Sequence, residues 1–187
     1  MNAMNRFSTL LLILVITGCA SNKGIKPYGN PNELHVNLHG TAPREMRFSF
    51  RVDYVTQSKG KECETHNFLA GLWTANVESY TYFPDTTADT YSVSIPLKAI
   101  APDTECNWTA NSVSLCLAEA NSNKPPHACS SLIFLSAARS DDLADMTLKC
   151  KIDEAFPMCF SAQYMGTAIM SPTKSRNVRV DMVLVNK

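Results

Sequence analysis

The sequence predicts an all-β fold, an antiparallel β-sandwich held by disulfides and carrying only minor short helices. Three observations predict it. Apolar and polar residues alternate with period two along much of the chain, the pattern of half-buried strands. Tyr, Thr, Val and Ser are frequent, and 10 prolines interrupt the chain, which favours strands and turns over long helices. Six of the seven cysteines lie beyond residue 60, and an even set suits a cross-linked domain.

The alternation places the strands in order. Leu34, Val36 and Leu38 alternate with His35, Asn37 and His39. Met46, Phe48, Phe50, Val52 and Tyr54 form the next apolar row, followed by short strand-like residues near 79–83. Tyr91, Val93, Ile95 and Leu97 continue the series, then Val113, Leu115 and Leu117. Residues 131–138 (SLIFLSAA) are apolar without clean alternation and read as a central strand. Met146, Leu148, Cys150 and Ile152 make another row, residues 158–164 a short one, and Val178, Val180, Met182 and Leu184 the last. Two segments read as short helical turns, residues 67–75 (NFLAGLWTA) and 140–144. Sandwiching such strands buries their apolar faces. Trp108, two residues from Cys106, suits a core Trp packed against a disulfide. In that respect the arrangement resembles immunoglobulin-like sandwiches; a transthyretin-like sandwich is the related alternative.

The N-terminus carries the most specific signal. Arg6 precedes an apolar run over residues 10–16 (LLLILVI), and small Thr17 and Gly18 lead to Cys19. Such a run is too short to span a bilayer, which needs about 20 residues, and it reads as a secretory signal. Ile16-Thr17-Gly18-Cys19 resembles the lipobox of bacterial lipoproteins. The resemblance covers those positions alone. It implies cleavage before Cys19, a diacylglycerol thioether on its sulfur and acylation, such as palmitate, on its amine. More than one acyl chain gives stable anchoring. Ala20 in place of Asp implies sorting to the outer membrane, facing the periplasm. The expected organisation is a signal peptide over residues 1–18, a lipidated tether over 19–33 and one sandwich domain over 34–187. Residues 20–33 are rich in Gly, Pro and Asn, and 14 such residues reach at most about 46 Å.

An exported chain meets an oxidising compartment, so the six cysteines beyond Cys19 are expected to pair. Spacing suggests Cys116–Cys129 across the turn at residues 121–127 and Cys150–Cys159 across that at 153–157. Cys63–Cys106 is the remaining pair. No CxxC pair is present to support a zinc site.

The rest of the chemistry reads as structural. Acidic and basic residues balance at 17 each, which leaves no basic field for nucleic acid. On a strand, His35 and His39 sit about 13 Å apart and do not chelate. His66 and His127 read as loop residues. Ser130, Ser131 and His127 form no recognisable nucleophile motif, and Asp141-Asp142 and Asp153-Glu154 read as solvated turn carboxylates. Tyr80, Tyr82 and Phe83 read as a strand end with one packed face, or else as an exposed partner patch. No metal or cofactor is expected. The expected function is protein–protein binding by a membrane-anchored lipoprotein rather than catalysis. The leading expectation is an immunity protein against a toxic secreted effector. The alternative is a structural subunit of an envelope or secretion assembly. A third class, an envelope hydrolase or glycan-binding module, calls for a cleft with converging carboxylates or exposed Trp73 and Trp108.

Overall fold

The computed structural model describes residues 26–27, 32–60, 62–100, 106–118, 123, 125–152, 157–161 and 167–185. The lipobox with Cys19, the signal segment and the Asp153-Glu154 pair lie outside these residues. The regular structure is almost entirely strand. One sheet has five strands in the order β14 (Ala168–Met170), β11 (Ala128–Leu135), β10 (Trp108–Leu117), β3 (Phe48–Thr56), β6 (Val77–Tyr82). The other has six: β13 (Met158–Ser161), β12 (Met146–Lys151), β15 (Arg176–Leu184), β2 (His35–Thr41), β8 (Thr90–Pro96), β7 (Asp85–Thr87). Two ribbons complete it: β1 (Lys26–Pro27) with β9 (Ala99–Ile100), and β4 (Glu64–Asn67) with β5 (Leu72–Ala75). Within the segment read as a tether, Lys26 and Pro27 thus pair with Ile100 and Ala99.

The two large sheets share one core. Val36, Leu38, Phe50, Val52, Ile95, Val113, Leu148 and Val180 are all buried in a single cluster. Phe48 and Phe50 of one sheet meet Tyr91 of the other at ring-centroid distances of 5.1 and 5.9 Å, a spacing that favours edge and offset ring contacts. The buried Tyr54 hydroxyl donates to the Pro96 carbonyl at 2.8 Å, tying the sheets together. Its single proton is used there, so Tyr82 donates the 2.7 Å bond between the two hydroxyls. Burial pushes the Tyr54 phenol far above its ordinary range and Tyr82 up to about 12.

Most pairs are antiparallel, but β11–β14, β12–β15 and β15–β2 run parallel. Two bulges reset the alternation. Asn111 is the extra residue of β10 against β3, because Ala110 faces Tyr54 and Ser112 faces Asp53. Even-numbered Trp108 and Ala110 therefore share the core with odd-numbered Val113, Leu115 and Leu117. Leu132 is the extra residue of β11, since Val113 faces Ile133 and Ser114 faces Ser131. That bulge explains why residues 131–138 show no clean period in sequence.

Neither segment read as helical forms a helix. Residues 67–75 fold as the end of β4, a turn and β5. Asn67 Oδ1 accepts the N–H groups of Leu69 and Ala70 at 3.1 and 3.2 Å. Gly71 takes φ +65°, so the chain reverses before a helical turn can propagate. Residues 140–144 stay irregular because their donors go elsewhere. The N–H groups of Asp142 and Leu143 both reach the Ile169 carbonyl.

Candidate functional site

Cys63 is bonded to Cys106, Cys116 to Cys129 and Cys150 to Cys159. The latter two pairs sit directly opposite in the β10–β11 and β12–β13 ladders. The first acts differently: it fastens the base of the β4–β5 ribbon to the start of β10.

That base is densely bonded. The Thr56 hydroxyl donates to the Cys63 carbonyl and accepts the Asn76 N–H at 3.0 Å. The Thr56 N–H donates in turn to the Asn76 carbonyl at 3.1 Å. The Asn76 amide donates to Glu62 O and accepts the Thr65 hydroxyl, at 3.0 and 2.6 Å. The N–H groups of Gln57 and Ser58 both donate to the Cys106 carbonyl. A ribbon held this way loses little further freedom when it binds.

Above the base the chemistry changes. His66 and Trp73 face each other across the ribbon with rings 4.9 Å apart, and Phe68 lies edge-on to His66 at 4.6 Å. Phe68 and Leu69 form the tip at 87% and 102% relative exposure. Leu72, Trp73 and Val77 are exposed behind them, Trp73 at 51%. Residues 65–77 contain no Lys, Arg, Asp or Glu. A cluster of large apolar side chains held out in water marks a contact surface.

Apart from His66 and Trp73, the side chains singled out in the sequence are placed elsewhere. His35 and His39 lie on β2; His35 Nδ1 hydrogen-bonds the Glu33 carbonyl at 2.6 Å, and His39 is exposed. His127 Nδ1 lies 3.3 Å from Pro125 O in its own loop, while Ser130 lines the space between the sheets. Asp141 accepts Arg176 at 3.0 Å and Asp142 accepts the Ile169 N–H, so both carboxylates hold the fold. Tyr80 and Tyr82 pack half-buried on the core, and Phe83 stays exposed. Trp108 is buried in the cluster that contains Cys63 and Cys106, whereas Trp73 is exposed. Of the two indoles that the glycan-binding alternative would expose, one is therefore in the core.

Two cavities accompany these elements. One of about 520 Å³ opens between the sheets beside Leu115, Ser130, Leu148 and Phe160. Another of about 500 Å³ lies beside Leu97, Asn111 and Phe134, with the Lys98–Glu33 ion pair (3.3 Å) among its walls. Among the described residues, no group of three His, Cys, Asp or Glu side chains is placed to hold a metal ion.

The exposed apolar residues Phe68 and Leu69 were missed in the sequence because the segment was read as a helical turn. The available signal was the bracketing of Phe68, Leu69 and Ala70 by Asn67 and Gly71, both turn formers. Comparison of the chain with protein-family models, curated proteins and solved structures gives no match in any of the three. The reading of function therefore rests on the chain's own chemistry.

Proposed function

We propose that the chain is a lipoprotein of the cell envelope that acts by protein–protein binding. In this reading it is anchored through acylated Cys19 in the outer membrane and faces the periplasm. Its role is that of an immunity protein, which neutralises a toxic secreted effector by occupying its surface. The observation that carries the binding role is the β4–β5 ribbon: an apolar tip in water on a base cross-linked by Cys63–Cys106. Large apolar anchors in a preordered geometry are what tight protein contacts use. The immunity assignment adds the lipobox and the exported, oxidised context.

The test is an affinity capture from envelope extract with Cys19 retained, read by mass spectrometry. A single stoichiometric toxic enzyme, whose toxicity in cells is suppressed by co-expression of the chain, is the expected result. Recovery of several secretion or assembly subunits instead moves the protein to a structural lipoprotein. The anchor is tested separately. Cys19→Ser moves the chain from the membrane fraction to the soluble fraction; an unchanged fractionation removes the lipid anchor from the proposal.

A further inference from the structure

We propose that the partner presents a concave, charge-free apolar cleft, and that Phe68 and Leu69 enter it while Leu72 and Trp73 close its mouth. This rests on the protein-binding reading above and names the surface that performs it.

Three features select this occupant. Three backbone donors of the turn can leave water without being stranded. The N–H groups of Leu69 and Ala70 are satisfied by Asn67 Oδ1 and that of Gly71 by Asn67 O at 2.8 Å. An unpaired buried donor would oppose entry into any dry environment. The charge pattern is the second feature. From residue 65 to residue 77 the ribbon carries no ionised group apart from the titratable His66, so a cleft lined by charged side chains would be desolvated with nothing to pair them.

The third feature separates a protein cleft from a bilayer. Among the described residues β4 and β5 pair only with each other, so both outer edges present backbone N–H and C=O groups. Hydrocarbon supplies them no partners, and residues 65–77 carry no Lys or Arg to hold lipid phosphate. A protein cleft with polar walls at its rim supplies hydrogen bonds to the edges and an apolar floor to the tip. Because the turn and the base are already ordered, the tip enters as a preformed wedge.

The experiment places a photo-crosslinking amino acid at Leu69 in the full-length chain in its own cells, with a second chain labelled at exposed Ser92 on β8 as a control. The expected result is one protein adduct at Leu69, with the crosslink mapping to uncharged residues in the wall of a cleft. Phe68→Ser with Leu69→Ser then weakens binding of that captured protein by roughly thirtyfold or more at an unchanged melting temperature. An adduct with phospholipid overturns the inference in favour of membrane contact. A crosslink to a flat or charged surface overturns it too. A protein adduct at Ser92 alone overturns the tip while leaving protein binding intact. Absence of any adduct at either position, together with an empty affinity capture, removes the protein-binding reading as well.

Discussion

The Tyr91 hydroxyl donates to the Val180 carbonyl at 2.7 Å by crossing the strand that lies between them. It can do so because Gly40, the residue paired with Tyr91, has no side chain in the way. The Tyr91 ring takes the inward position that a larger residue 40 would claim, against Phe48 and Phe50. The strand backbones close up at the same point: a Cβ on residue 40 would stand 2.2 Å from Val180 O and 2.7 Å from its carbonyl carbon.

Gly40→Ala therefore forces β2 and β15 apart, since the obstacle is backbone rather than a side chain that can rotate. The expected loss is about 3 kcal/mol or more, the upper end for overpacked sites, measured by urea unfolding. Tyr91→Phe keeps the ring and removes only the hydrogen bond, for a loss of about 1 kcal/mol. A Gly40→Ala chain as stable as the parent contradicts the close approach.

The tyrosines give an alkaline signature. Burial raises Tyr54, Tyr82 and Tyr91, with Tyr82 at about 12. A folded value above the unfolded one of about 10 means a contribution whole below about pH 10 and lost as pH rises toward and past 12. Of the six tyrosines, these three are expected to stay protonated near pH 10.5 in ultraviolet difference spectra of the native protein. In guanidinium all six titrate together. Full ionisation at pH 10.5 with the fold intact would count against this packing.

Asp181 works at the acid end. Its desolvation opposes charge, but donation from the Thr41 hydroxyl and N–H, both at 2.9 Å, and the Arg179 ion pair at 2.8 Å outweigh it. The carboxyl is held below its usual range. A depressed folded value gives a contribution that is whole above the unfolded one, about 3.9, and is lost as pH falls through the lower folded value. Asp181→Asn is expected to cost about 1 kcal/mol at pH 7. The gap between the two chains should narrow as pH falls below about 3.9 and through the lower folded value in paired thermal melts, and a gap independent of pH would rule out the charge as its source.

Replacing both Cys63 and Cys106 by Ser frees the base of the ribbon. The bond spans 43 residues, and loop-closure entropy for that span amounts to about 4 kcal/mol. Amide hydrogen exchange over residues 64–75 is expected to accelerate more than in the β10–β3 ladder, because the ribbon pairs with no other strand described. Equal acceleration in both places would show that the bond acts on the whole domain and does not specifically hold the tip.

How much of this was legible depends on the range of the contacts involved. The apolar rows of β2, β3, β8, β12 and β15 were readable residue by residue, because each strand buries one face and the period survives. The spacings around two turns pointed to Cys116–Cys129 and Cys150–Cys159, since sequence neighbours across a turn become ladder partners. The ribbon was not readable in the same way. Leu72, Trp73, Thr74 and Ala75 are all exposed, so no face is buried and no alternation is written into the chain. The candidate site eluded the pattern for the reason it is a candidate, that its apolar residues are not spent on the core.

By itself the sequence determined the all-β class, the positions of most strands and an even set of cysteines beyond residue 60. These follow from residues two positions apart and from composition, which any single strand expresses locally. Only the tertiary structure decided the three parallel pairings, the bulges at Asn111 and Leu132 and the need for glycine at position 40. It alone turned residues 64–75 into a projecting ribbon. Those features depend on groups such as Tyr91 and Val180, 89 residues apart, whose meeting is set by the packing of whole sheets and leaves no period in the chain.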